Sequence, residues 1–120
     1  MSLFAIVVPL LPGKTEPWRR FIADLNGPRH AEFAASRRRL GIHEQTFLQQ
    51  TPMGDMVIVT LEGDDPQGAF ARFGAGTDEF ARWFLQQVKE LHGIDLTQAA
   101  DAPMPEQVID SSRQVKLKAA

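Results

Sequence analysis

The chain contains no cysteine, and that absence removes three kinds of chemistry. A disulfide framework, a thiolate metal site and a thiol nucleophile all need this residue. We therefore expect a protein of the cytoplasm, where structural disulfides are rare.

Long apolar runs and an excess of positive charge are also missing. The most apolar stretch, residues 3–11, is far shorter than the roughly 20 residues that a membrane span needs, and no basic region precedes it. The formal net charge is −2, whereas binding to nucleic acids or acidic membranes draws on a basic surface that displaces counterions. We expect neither a membrane nor a nucleic acid as a partner.

The amino-acid composition is that of one globular domain. Of 120 residues, 43% are hydrophobic and 23% are charged, which is average for globular proteins. We expect a single domain with one core in residues 1–112. Residues 113–120, which end in Lys116, Leu117, Lys118 and two alanines, are expected to form a flexible C-terminal tail.

Hydrophobic spacing predicts a strand and then a broken helix in the first part of the chain. Residues 3–11 are apolar at both parities, as in a strand that is covered on both faces. Thr15 is expected to cap a helix that residues 26–28 interrupt and that Gly41 ends. The apolar positions in the first half of this helix recur at helical spacing: Trp18, Phe21, Ile22 and Leu25.

A β-hairpin is predicted next. Residues 42–51 and 56–62 have strand-like patterns, and residues 52–55 between them have turn chemistry. Pairing of Thr51 with Met56 would set the register and turn one apolar face toward the helices. The opposite face then combines polar and apolar side chains from both strands: His43, Gln45, Phe47, Gln49, Ile58 and Thr60.

The second half of the chain predicts two helices and a final strand. Two aspartates form an acidic cap for a short helix that opens at Pro66. Thr77 is expected to cap a longer amphipathic helix that ends at Gly93, and residues 107–110 are short enough for an edge strand. The predicted fold is α+β, a ferredoxin-like βαββαβ order around a four-stranded antiparallel sheet.

Two helices of this size cover only one face of such a sheet. The first strand is nevertheless apolar on both sides, and the other face of the hairpin carries Phe47 and Ile58. A second copy of the chain, laid face to face, would cover these residues and leave a partly polar cavity between the two sheets. The patterning therefore predicts a homodimer.

This order of elements resembles the dimeric α+β barrel superfamily of ferredoxin-like proteins, which includes antibiotic-biosynthesis-monooxygenase-like and stress-responsive barrel proteins. The resemblance covers about residues 3–111 and is carried by VVPLLPGKTEPWRRF, FLQQTPMGDMVIVTLEGDDP and DEFARWFLQQVKELHG. It implies a dimeric α+β barrel with a ligand pocket in the barrel or between the sheet and the second helix. Haem-degrading relatives place an asparagine on the first strand, whereas the only asparagine here is Asn26. We therefore expect no cofactor.

The polar side chains on the open hairpin face form the candidate site. His43 is the candidate catalytic residue, because an imidazole titrates near neutral pH; the competing interpretation is a partly exposed residue near a strand start. Buried amides and hydroxyls need hydrogen-bond partners, which a polar small molecule could supply. The predicted ligand-binding residues are Gln45, Phe47, Gln49, Ile58, Thr60 and Trp83. A hydrogen-bonded dimer interface and a face open to solvent are the alternatives, and Trp83 could belong to the core.

The other charged residues are expected to have structural roles. Arg37, Arg38 and Arg39 are expected to form a solvated face in the last turn of the first helix, where cations suit the helix dipole. His92 is expected to be a similar dipole partner in the second helix. The three histidines show no metal-ligand spacing, so no metal site is predicted.

Two functional hypotheses stay open. The first is a protein that binds a hydrophobic or aromatic small molecule and, as the resemblance implies, could act as a cofactor-independent monooxygenase-like enzyme whose substrate carbanion reacts with oxygen. The second is a non-catalytic dimeric barrel that serves as a stress-related binding or interaction protein. Turnover that depends on His43 would favour the first hypothesis.

Overall fold

A computed structural model describes residues 1–118 and shows an α+β fold, as the sequence predicts. Within these residues an antiparallel sheet has three strands: β1 (Ser2–Pro9), β2 (Ile42–Thr51) and β3 (Gly54–Gly63). The helices are α1 (Thr15–Asn26), α2 (His30–Arg39), α3 (Pro66–Ala71) and α4 (Glu79–His92). Short 3₁₀ segments occupy Phe73–Ala75 and Leu96–Asp101. Residues 119 and 120, at the end of the predicted tail, lie outside the described residues.

The order of the strands in the sheet is β1-β3-β2, so β3 lies in the centre. The predicted hairpin register is wrong by two residues, because Thr51 pairs with Gly54 and not with Met56. The turn between these residues is tight, and the Thr51 hydroxyl donates a hydrogen bond of 2.6 Å to the Gly54 carbonyl. Gly54 has a φ of 126°, which favours glycine. A shift of two residues leaves each side chain on its predicted face.

The predicted break in the first helix is confirmed, and α1 and α2 are separate helices. The predicted caps are wrong at two positions. The N-cap of α4 is Asp78 instead of Thr77, since the Asp78 carboxylate accepts a hydrogen bond of 2.7 Å from the Ala81 N–H. Thr15 is the first residue of α1 and its N-cap is Lys14; the Thr15 hydroxyl donates to Asp55 instead of accepting from a backbone N–H of the helix.

The predicted fourth strand does not form in this structure. Within residues 107–110, only Asp110 takes part in β-pairing, as an isolated bridge to Arg113. The Asp110 carboxylate accepts hydrogen bonds from the backbone N–H and the hydroxyl of Ser112, at 2.9 and 2.7 Å. Such local turns of aspartate compete with strand pairing. The βαββαβ order therefore lacks its last strand, and the sheet has three.

The helices cover one face of the sheet. On that face two apolar clusters form the core, and Val59 and Phe84 pack against both. The first cluster includes Leu61, which is fully buried, and the second includes Trp18. Among the described residues, no helix has the length and apolar character that a membrane span requires.

The other face of the sheet is open in the single chain. On β1, Phe4 faces the helices and is buried, whereas Leu3 and Val7 are 62% and 57% exposed. The expectation that β1 is covered on both faces is therefore not met within one chain. Within residues 1–118, this side of β1 is left exposed.

Candidate functional site

A cavity of about 520 Å³ lies between the sheet and the helices. Ile6, Val57 and Val59 of the strands form part of its floor, and Phe21 and Phe84 of the helices form part of its opposite wall. Side chains from both core clusters line it. Its volume falls within the range of roughly 300–1,000 Å³ that small-molecule sites occupy.

One polar group in this cavity is the carboxylate of Glu44 on β2. Its Oε1 accepts a hydrogen bond of 2.6 Å from Nε of Arg37, and its Oε2 accepts one of 3.1 Å from the Thr46 hydroxyl. The side chains of Arg37 and Glu44 are only 9% and 8% exposed. A buried ion pair therefore joins α2 to the sheet at the cavity.

Aromatic rings surround the Arg37 guanidinium. Its central carbon lies 4.8 Å from the centroid of Phe33, 4.4 Å from that of Phe73 and 4.7 Å from that of Phe84. Its Nη1 donates to the Ser36 hydroxyl, while its buried Nη2 has no hydrogen-bond partner among the described residues. The negative faces of the rings attract the cation and offset this deficit in part. The guanidinium is thereby fixed in one position.

The prediction that the three arginines form a solvated face is confirmed for Arg38 and Arg39, which are exposed, and wrong for Arg37. Two signals in the sequence could have identified the buried pair. Arg37 lies four residues after Phe33, on the same helical face. Glu44 shares its strand parity with Ile42, which points to the core. Two opposite charges, one on the buried face of the helix and one on the buried face of the strand, indicate a buried ion pair.

His92 lines another part of the cavity, at the end of α4. Its Nδ1 lies 2.9 Å from the carbonyl oxygen of Pro9, and since a carbonyl only accepts, Nδ1 carries the hydrogen. Burial lowers the pKa of His92 below its ordinary value of 6.5, although the bond to Pro9 opposes the shift. The ring is therefore neutral at pH 7, and Nε2 is an acceptor and a base. This differs from the predicted role as a cationic partner of the helix dipole.

The strand residues of the predicted site lie on the opposite side of the sheet from this cavity. The register places them in rows across the strands, with Phe47 beside Ile58 and Gln45 beside Thr60. Gln49 lies next to Met56, and His43 next to Glu62. Six of the predicted residues thus share one face, as expected: His43, Gln45, Phe47, Gln49, Ile58 and Thr60.

His43 itself is an exposed residue on that face. Its Nδ1 lies 3.6 Å from Oε1 of Glu62. The catalytic role of His43 stays a prediction.

The structure does not bring Trp83 to the open face with the other predicted residues. Trp83 lies on α4, where its ring centroid is 5.3 Å from that of Phe21. The guanidinium of Arg29 lies 4.3 Å from the centroid of the same ring. The tryptophan that lines the cavity is Trp18 of α1.

Among the described residues, no three side chains of histidine, aspartate or glutamate are placed to hold a metal ion. No family model, curated protein or solved structure matches this chain. The resemblance to the dimeric α+β barrel superfamily therefore stays a prediction.

Removal of one partner of the buried ion pair should be costly. Glu44→Ala leaves the Arg37 charge buried and uncompensated, and we expect it to lower the free energy of unfolding by about 3–5 kcal/mol in urea denaturation. The matched control is Arg38→Ala, at the exposed position next to Arg37, which should change the free energy of unfolding by less than about 0.5 kcal/mol. The double variant Arg37→Met/Glu44→Leu should recover most of the loss. A Glu44→Ala protein as stable as wild type would contradict this account.

The lowered pKa of His92 predicts a loss of stability in mild acid. Because the unfolded chain binds a proton near pH 6.5 while the folded chain resists it, the stabilisation is complete above that pH and is lost as the pH falls below it. The loss is at most about 1.4 kcal/mol per pH unit for one proton. Urea denaturation at neutral pH and at about one unit below pH 6.5 should show a larger loss for wild type than for His92→Asn. Equal losses would count against a buried neutral His92.

Proposed function

We propose that this protein binds a hydrophobic or aromatic small molecule in the cavity between the sheet and the helices. The observation that supports this proposal is the cavity itself, about 520 Å³ with predominantly aliphatic and aromatic walls. Protein interiors pack as densely as organic crystals, so a partly open space of this size between a sheet and its helices departs from ordinary packing. Water fills a cavity well only where polar groups hold it. An apolar ligand would pack against these apolar walls more favourably than water does.

The polar groups of the cavity would orient such a ligand. Glu44 and Thr46 lie on the floor, and His92 lies at the end of α4. Few polar groups in fixed positions among apolar walls are typical of specific small-molecule sites. If the ligand is oxidised without a cofactor, as the resemblance implies, His92 is the base inside the cavity. His43 would serve a reaction only at the open face.

Two neighbouring positions on β3 separate the cavity from the open face. Val59 lines the cavity, whereas Ile58 lies on the opposite side. We expect thymol, a small aromatic probe, to raise the melting temperature of wild type, since a ligand at 100 times its Kd stabilises a fold by about 2.7 kcal/mol. Val59→Phe should abolish this shift by filling the cavity, and Ile58→Phe should preserve it. The reverse result, a shift that Ile58→Phe abolishes and Val59→Phe preserves, would place binding at the open face.

We also propose that two copies of the chain pair through the open sheet face to form a dimeric α+β barrel. An apolar row crosses the middle of this face, from Val7 on β1 through Ile58 on β3 to Phe47 on β2. Phe47 is 52% exposed in the single chain. A second copy supplies the same apolar surface, so one contact would cover both rows. The same contact suits a non-catalytic interaction protein, which is the alternative function.

The dimer is tested by sedimentation velocity at micromolar concentration. Wild type should sediment as a dimer, and Phe47→Glu should sediment as a monomer because it places a charge in the middle of the interface. Met53→Glu is the control, since Met53 is exposed in the hairpin turn outside the open face. A monomeric wild type at this concentration would refute the pairing.

A further inference from the structure

We infer that the ligand of the cavity is a neutral compound with a hydroxyl donor on an apolar body, of the phenol or enol class, whose O–H hydrogen-bonds to Nε2 of His92. This inference rests on the proposed binding in the cavity. It identifies the ligand class from the hydrogen-bonding capacity of the side chains that line the cavity.

The His92 ring is held where α4 meets the end of β1. Nδ1 bonds to the Pro9 carbonyl at 2.9 Å, and the backbone N–H of Leu11 donates to the carbonyl of Leu91 at 3.0 Å. Gly93 then ends the helix with a left-handed φ of 71°. The ring is thus fixed by its own hydrogen bond and by the adjacent backbone. With the hydrogen on Nδ1, the lone pair of the ring is on Nε2.

The carboxylate of Glu44 is already engaged, whereas that of Asp95 belongs to an exposed residue and stays in contact with water. The oxygens of Glu44 accept from Arg37 and from Thr46. Asp95 accepts from the backbone N–H and the hydroxyl of Thr97, at 3.0 and 2.5 Å.

The other side-chain acceptors at the cavity are the Thr46 hydroxyl, which is bonded to Glu44, and groups of three exposed residues, Asn26, His30 and Gln98. His92 is half-buried. A ligand donor among the apolar walls therefore finds its best acceptor at Nε2 of His92.

The same groups disfavour charged ligands. An anionic ligand would meet the lone pair of His92 and the carboxylates of Glu44 and Asp95, and like charges repel. A cationic ligand would lose its hydration against predominantly apolar walls, while Arg37 already pairs with Glu44. A neutral donor on an apolar body avoids both costs. Phenols and enols have this combination.

Isothermal titration calorimetry with thymol and thymol methyl ether tests the inference, because methylation removes the donor and keeps the aromatic body. Wild type should bind thymol about three- to tenfold more tightly than the ether, as one hydrogen bond predicts. His92→Asn keeps an amide donor for the Pro9 carbonyl and lacks an acceptor at the Nε2 position. It should bind the two compounds equally, with unchanged affinity for the ether. His92→Gln, whose amide reaches the Nε2 position, should restore part of the preference.

The outcomes separate the inference from the proposed function. Equal binding of both compounds by wild type overturns the role of His92 and leaves the binding function standing. An unchanged preference in His92→Asn overturns it as well. Absence of binding by either compound overturns the proposed function and the inference together. The wild-type comparison needs no variant, so it decides the question even if substitutions at His92 impair folding.

Discussion

The position of α2 depends on arginine side chains. Arg37 is the residue that α2 buries, and it connects the helix to the Glu44 carboxylate on β2. At the other end, Arg29 precedes the helix, lies over the Trp83 ring and hydrogen-bonds to Glu79 of α4. A guanidinium can stack on an aromatic ring and still donate hydrogen bonds in its own plane. Two such contacts hold a helix that lacks an apolar stripe of its own.

This attachment gives a physical reason for the cavity. An apolar helix face packs directly on a sheet and excludes space between the two layers. Here the long side chains of Arg37 and Glu44 span the distance between α2 and β2. Phe33 of α2 and Phe84 of α4 contact the guanidinium and also line the cavity. The ion pair therefore supports the wall of the cavity, and a change in the pair would alter both the stability and the shape of the site.

Local patterns in the sequence predict most of the elements, because helix breaks, glycine ends and strand parity depend on neighbouring residues. The break between α1 and α2 and the bounds of β2 agree with the structure. The hairpin register depends on a turn shorter than expected, which composition does not reveal. The missing fourth strand reflects a local turn at Asp110 that competes with pairing. The sequence of residues 107–110 alone does not show whether a local turn or pairing with a distant strand is more stable.

The site was harder to predict than the fold. The alternation of side chains along a strand correctly predicted that His43 and Phe47 share one face of the sheet. It does not show on which side of the sheet a cavity forms. That depends on how far helices stand from the sheet, and hence on contacts such as the one between Arg37 and Glu44. The role of His92 depends on Pro9, more than 80 residues earlier in the chain, and no local pattern connects the two.

The two sides of the sheet can therefore have separate roles. The sequence predicts a pocket only where one sheet face lacks cover, so that the predicted pocket and the predicted dimer depend on each other. In the structure, the cavity lies within a single chain, on the side that the helices cover. The proposed binding in the cavity does not require a second copy, and the proposed pairing through Val7 and Phe47 does not require a ligand. Coupling between them would have to pass through the sheet, for example through β3, whose alternate side chains, such as Ile58 and Val59, face the two sides.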